Sequence, residues 1–313
     1  MLIPSTIVLL SPGQGSQTVG MLNSWLELPY ANDRIMKWSA VSKIDLKLFG
    51  TNSTLEEISN TLIAQPLIVA TTLLAYEELI RSNLIRDASN IVVAGHSVGE
   101  ISAYAIAGII SNEDAIRLAT IRGFEMAKAC AIEKTGMAAI LGGNGAEILK
   151  YIKLLNLSPA NYNTTGQVVA AGSTSAIEFF SRNHPYKTRV SKLTTSGAFH
   201  THYMNSALSS YSTAISEVVI SEPNKILLSN LDGKPVASAE DAMKKLIAQL
   251  ISPVRWDLCN KTIKNIFQYT KGPISVLELP PAGILTRIAK RELKGVSINS
   301  LNILKDLYKS IGT

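Results

Sequence analysis

The sequence predicts an α/β protein: a mainly parallel sheet with helices on its faces, interrupted by a small inserted unit. Three observations carry this. Strand-like runs alternate with helical ones from the start of the chain. The short apolar run IVVA (91–94) passes through GHSVGE directly into an apolar helix. Between 137 and 193 the rhythm changes to β-α-β-β-α-β, the ferredoxin-like order. With 313 residues the chain can bury a sizeable core without disulfide or metal staples. At 46% apolar and 17% charged residues, with a mean hydropathy of +0.18, it is neither disordered nor fibrous.

Each element follows from local signals. TIVLL (6–10) reads as the first strand and ends in the Gly-rich turn SPGQGSQ. The residues before it are apolar but lack a positive leader and a small-residue cleavage site, so they read as part of that strand. Residues 66–81 are expected as a helix starting at Pro66, with apolar residues at helical spacing. IVVA, continuously apolar, suits a central strand buried on both faces, and 98–109 follows as a helix. Ser111 and Asp114 have capping-box spacing and open the helix that carries Arg122. The inserted unit is read as strands 137–141, 160–163, 167–171 and 188–193 with helices 145–155 and 174–182. Beyond it come a helix around 203–217, a strand 226–229, a helix near 239–251 and a strand 274–279. No repeat or low-complexity linker separates the units, so they are expected to pack closely.

Lys plus Arg exceed Asp plus Glu by 30 − 24 = 6, with a pI near 9.2, which favours acidic partners. Basic clusters lie at Lys187–Lys192, Lys244–Lys245 and Arg287–Lys294. Aromatic residues are only 6% and no dense Lys/Arg block occurs, which argues against nucleic acid. No uncharged apolar run of about 18 residues is present. The nearest, 91–110, is broken by His96 and Glu100, so no membrane association is expected. Two cysteines cannot build a disulfide framework, and a cytoplasmic location is expected.

Gly95-His96-Ser97-Val98-Gly99, between an apolar strand and an apolar helix, is a nucleophile-elbow pattern in its required context. The turn needs small residues on both sides and sets Ser97 at a helix N-terminus, where developing negative charge is favoured. A helix-capping serine is the plainer alternative. A serine nucleophile needs a base. His96 belongs to the elbow and His184 to a polar loop, RNHPYK, which leaves His200 or His202 in SGAFHTHYM; spacing alone does not choose between them. The acidic residues between Ser97 and His200 fall on helix surfaces or helix-starting turns, so a dyad whose histidine is oriented by something other than a carboxylate is favoured. Gly13-Gln14-Gly15-Ser16-Gln17 does not complete GxGxxG and has no Walker lysine. It can present backbone N–H groups as a second arm of an oxyanion hole beside Val98. Arg122 lies 25 residues after Ser97, where it could clamp a carboxylate; by geometry alone a surface arginine with a buried stem is the commoner outcome.

Together the motifs resemble the malonyl-CoA:acyl carrier protein transacylase family, which includes the acyltransferase domains of polyketide synthases. PGQGSQ near the start, QPLI (65–68), GHSVGE (95–100), RG (122–123), NYNTTGQVVAAG (161–172), GAFHTHYM (197–204) and QLISPVRW (249–256) fall in family order over nearly the whole chain. The resemblance implies an α/β-hydrolase-like large domain, 1–130 and 198–313, with a ferredoxin-like subdomain inserted at 131–197. It implies Ser97 as the acylated nucleophile, His200 as its base, the Gln14 and Val98 amides as oxyanion hole, and Arg122 as the malonyl carboxylate site. Gln249 would sit beside the histidine, which in this family is oriented by a backbone carbonyl near that glutamine. Gln65 and Asn163 would line the pocket. Phe199 before His200 is similar to the malonyl-selective form of the motif. ELPPAGIL (278–285) departs from the family, with Pro281 and Ala282 where many members have a GPG-type turn. The implied reaction is ping-pong transfer of malonyl from coenzyme A to the phosphopantetheine thiol of an acidic acyl carrier protein, by a monomer and without metal or redox cofactor. A fatty-acid carrier is expected, with a trans-acting polyketide acyltransferase, a serine thioesterase and a non-catalytic acyl-binding module as the alternatives.

Overall fold

The computed structural model describes residues 6–85, 91–270 and 272–310. Among the described residues, nine strands form two sheets. β1 (Thr6–Ser11), β2 (Ile91–Gly95), β7 (Ile226–Leu228), β8 (Ile274–Glu278) and β9 (Ser297–Ser300) make a parallel sheet in the order β7-β2-β1-β8-β9. β3 (Thr135–Gly142), β4 (Ser158–Thr164), β5 (Gln167–Ser173) and β6 (Thr188–Lys192) make an antiparallel sheet in the order β4-β5-β3-β6. With its two helices, Gly145–Leu154 and Thr174–Arg182, this second sheet has the βαββαβ arrangement that the changed rhythm predicts.

The two-residue period of the strands explains the layering. Ile7 and Leu9 of β1 enter one core while Val8 and Leu10 enter the other, and Ile91 and Val93 separate from Val92 and Ala94 in the same way. Both faces of the central strands are therefore dry, which is why they read as continuous apolar runs. The inserted sheet is also two-faced. Ala138, Ile140, Val168 and Ala170 pack under its own helices, whereas Met137, Val169 and Ala171 join the main core. β4 is further tied to the large unit by Tyr162 N–H to Val254 O at 2.9 Å and Val254 N–H to Ala160 O at 2.8 Å.

Two expectations need correction. The helix expected from Pro66 is Thr61–Arg81, with Pro66 inside it. Its true start is Asn60, whose side chain accepts from Leu62 N–H and so caps the first turn. This helix is also long and apolar enough to cross a bilayer by length and composition, although most of it is buried in the core of this structure. The helix expected around 203–217 begins as a 3₁₀ segment, His202–Ala207, before turning α-helical at Leu208–Ser216. At the departure from the family turn, the buried Glu278 carboxylate accepts from the N–H groups of Gly283, Leu285 and Thr286, closing the start of helix Ile284–Glu292.

Candidate active site

The carboxyl end of the parallel sheet carries the site. β2 ends at Gly95 and helix Gly99–Ile106 follows after three residues. Ser97 has φ 54°, a left-handed conformation that costs a non-glycine residue about 1–2 kcal/mol. A Cβ on Gly95 would collide with the Gly99 carbonyl, and one on Gly99 with the carbonyls of Ser11 and Pro12, so only glycine fits either side of the turn. Asn230, just beyond β7, holds the reversed chain. Its Oδ1 accepts from Ser97 N–H at 2.8 Å and its Nδ2 donates to Gly95 O at 2.6 Å. With the Ser97 N–H so occupied, the N–H groups of Val98 and Gln14 are left without a hydrogen-bond acceptor among the described residues.

His200 completes a dyad. Its Nε2 is 2.7 Å from Ser97 Oγ and its Nδ1 is 2.9 Å from the Gln249 main-chain carbonyl. A carbonyl can only accept, so Nδ1 carries the hydrogen and Nε2 is free to take the serine proton. Burial, together with the Arg122 guanidinium, pushes the imidazole down to about 3, so the ring is neutral. His202 is exposed and stacks on Tyr203, away from the dyad. His184 is exposed in its loop. His96 lies edge-on to Trp256 and meets Asn163 Oδ1 at 3.1 Å; burial pushes it down to about 4.

Arg122 overturns the surface reading. It is 1% exposed, in the middle of helix Asn112–Ile132. Its Nη1 donates to Gln65 Oε1 and its Nη2 to Gln249 Oε1, each at 2.9 Å, and Nη2 reaches Ser97 Oγ at 3.4 Å. These partners are all neutral, and Nε has none. A buried cation whose hydrogen bonds go only to neutral groups is suited to receive an anion.

The narrow cavity at this point, about 90 Å³, is lined by Gln14, Ser97, Arg122 and His200 from the large unit and by Met137 and Asn161 among the inserted residues. Gln65, Asn163 and Gln249 do not line it, contrary to the pocket position expected for Gln65 and Asn163. They stand one layer back, bonded to Arg122, His96 and both halves of the dyad respectively. Three residues escaped the sequence reading: Asn161, whose buried Oδ1 has no partner, Asn230, and Glu100. Asn230 follows a short strand and carries no local signal. Glu100 did carry one, as a carboxylate inside an otherwise apolar run, which must find partners if buried. It is fully buried; its Oε1 accepts from Asn230 N–H at 2.7 Å and its Oε2 from Gln249 Nε2 at 2.5 Å, and burial pushes the carboxyl up to about 7.

Fold and site together define an α/β protein with a hydrogen-bonded serine–histidine pair at the carboxyl end of its parallel sheet, an arrangement suited to acyl transfer. Comparison with known proteins agrees. The family model that matches, over residues 8–309, is the acyl transferase domain. The malonyl CoA-acyl carrier protein transacylase of Mycolicibacterium smegmatis is 55% identical over 92% of this chain and 98% of its own. The crystal structure of MCAT from Mycobacterium tuberculosis superposes with a TM-score of 0.93 at 50% identity, covering 98% of this chain and 99% of that one. A malonyl-transacylase solved in complex with a type II PKS acyl-carrier protein gives 0.87 at 28% identity, covering 98% and 99%. The chain belongs to the acyl transferase family, among the malonyl CoA-acyl carrier protein transacylases.

Proposed function

We propose that this chain transfers the malonyl group from malonyl-CoA to the phosphopantetheine thiol of an acyl carrier protein, supplying malonyl-carrier for fatty-acid synthesis. The observation that carries the reading is the buried Arg122 guanidinium, 3.4 Å from the nucleophile hydroxyl and held only by neutral groups. Ser97 Oγ attacks the thioester carbonyl as His200 Nε2 takes its proton. The tetrahedral oxyanion is held by the N–H groups of Val98 and Gln14. Collapse expels coenzyme A, whose sulfur receives the proton from His200. The carrier thiol then repeats the sequence in reverse, giving His200 its proton and leaving Ser97 as the free hydroxyl.

The malonyl carboxylate has a second effect through charge. Burial, and after it the Arg122 guanidinium, depresses the basicity of His200. A carboxylate bound to Arg122 offsets that field, so the arriving substrate strengthens the base that must act on it. Acetyl cannot do this. His200 Nδ1 meets a main-chain carbonyl rather than an acid, and a carrier acceptor is supported by the acyl-carrier protein bound in the solved transacylase complex.

The test is intact-mass detection of a malonyl adduct that is discharged by carrier protein, followed by the malonyl-to-acetyl ratio of kcat/KM in Arg122→Ala. Removing one partner of a buried ion pair costs ~3–5 kcal/mol. At about 1.4 kcal/mol per factor of ten, the malonyl value should fall roughly two to three orders of magnitude. The acetyl value should stay level or rise. An unchanged ratio would remove Arg122 from substrate recognition.

A further inference from the structure

We infer that Glu100 is a positioning residue for substrate selection: its carboxylate fixes which way the Gln249 amide faces, and that amide sets the hydrogen bonding of Arg122. The inference rests on the malonyl-transfer reading above. Gln249 is the hub of the site. Its main-chain carbonyl accepts from His200 Nδ1, its Oε1 accepts from Arg122 Nη2 at 2.9 Å, and its Nε2 donates to Ser97 O at 2.9 Å and to Glu100 Oε2 at 2.5 Å. An amide presents one acceptor and one donor end, and turning it over exchanges them. In the observed sense, oxygen faces the arginine and nitrogen faces three acceptors, Asn230 Oδ1 at 3.4 Å being the third. In the opposite sense, the amide nitrogen would face the Arg122 nitrogen, donor against donor, between two side chains that are both buried.

Ionised, as it is above about pH 7, Glu100 enforces the observed sense because both its oxygens then accept. Oε1 takes the Asn230 N–H at 2.7 Å, a main-chain donor that cannot be reoriented, and Oε2 takes the Gln249 amide. Replacing the carboxylate by an amide of the same shape breaks this. Glu100→Gln must keep its oxygen toward the Asn230 N–H, so its NH₂ faces Gln249 and pushes that amide over. The consequence is selective. His200 is oriented by the Gln249 main chain, which a side-chain turn leaves in place, so the Ser97–His200 dyad persists. What changes is the guanidinium that receives the malonyl carboxylate, together with the Ser97 carbonyl, which loses its Gln249 donor.

The experiment compares wild type, Glu100→Gln and Glu100→Asp of the full chain, with malonyl-CoA and acetyl-CoA as donors and thermal unfolding as the check on folding. A lost hydrogen bond to a charged group corresponds to about a ten- to hundredfold effect. Glu100→Gln should therefore lose malonyl kcat/KM by about that factor, chiefly through KM, because the carboxylate is bound alike in ground and transition states. Acetyl transfer should change far less. Glu100→Asp keeps two acceptor oxygens and should lie between wild type and Glu100→Gln. Equal losses for both donors would overturn the inference and assign Glu100 to the fold of the elbow through Asn230. So would an unchanged malonyl-to-acetyl ratio. If Glu100→Gln does not fold, Glu100→Asp decides: its ratio must fall below wild type, and an unaltered one overturns the inference. A wild-type chain that forms no malonyl adduct would instead overturn the parent reading and this one with it, a result distinct from variants that lose both donors equally.

Discussion

The turn at residues 95–99 and the loop at residues 197–201 each hold one member of the dyad in a left-handed backbone conformation, with φ 54° at Ser97 and 60° at His200. They are built by different means. The serine turn carries two glycines whose replacement would collide with carbonyls of the same turn and of the end of β1, and Asn230 braces it from 133 residues away. The histidine loop is enforced from a distance. Ala198 N–H donates to Thr135 Oγ1 at 2.9 Å, and the imidazole itself is anchored on Gln249 O, 49 residues away. Strain at functional residues persists only where the surroundings over-determine it. Here one half announces its strain in its own glycines, and the other shows it only through neighbours distant in sequence.

The comparison can be tested by taking each half apart. The largest expected effect is chemical: His200→Ala should slow malonyl-enzyme formation by about 10²–10⁴-fold, as loss of a general base does. His202→Ala, exposed beside Tyr203, should be close to wild type in the same rapid-quench measurement. A larger loss at His202 would mean that the loop is threaded differently.

A second measurement follows the long-range anchoring of the ring. Burial and Arg122 hold His200 down to about 3 against an ordinary 6.5, so its imidazole NMR signals should not titrate between pH 5 and 8. In Arg122→Ala the transition should move upward. The sign for stability follows from linkage. The unfolded chain takes the proton first, so the stability tied to this group is complete above about pH 6.5 and declines as pH falls toward about 3. A His200 transition near 6.5 would show that the loop is open to solvent.

Next comes the local half. Gly95→Ala forces a methyl against the Gly99 carbonyl, and overpacking of this kind costs about 1–3 kcal/mol. Denaturant unfolding should show that loss, and adduct formation should fall with it because the serine can no longer hold its pose. An adduct formed at the wild-type rate would mean the turn is less constrained than its geometry requires. The smallest effect is expected at Thr201, whose Oγ1 donates to Ala198 O at 2.7 Å and accepts from Tyr203 N–H at 3.3 Å. Thr201→Ala should cost about 1 kcal/mol, the usual value for a cap or a buried hydrogen bond, with the malonyl-to-acetyl ratio preserved.

The same contrast explains what could be read in advance. The elbow was legible because its signal is contiguous: apolar strand, small–x–Ser–x–small, apolar helix. The βαββαβ insertion was legible because periodicity is a local property. Residue pairing across the fold was not. Spacing left His200 and His202 equal, and only the resemblance to a family separated them before the geometry did. Arg122 read as a surface arginine because helix position says nothing of what lies opposite; the helix Thr61–Arg81 packs there and delivers Gln65 to it.

The sequence by itself determined the alternation of strands and helices, the dry central strands and the tight glycine-flanked serine turn. Each is encoded within a window of a few residues, where sterics and burial act directly. The tertiary structure decided which histidine meets the serine, that a backbone carbonyl orients it, and that Arg122 is buried with an unpartnered Nε. It also decided the Asn230–Glu100–Gln249 network that joins these parts. Those contacts close loops of 19 to 149 residues, and a hydrogen bond across such a separation exists only after the sheet has brought its strand ends together.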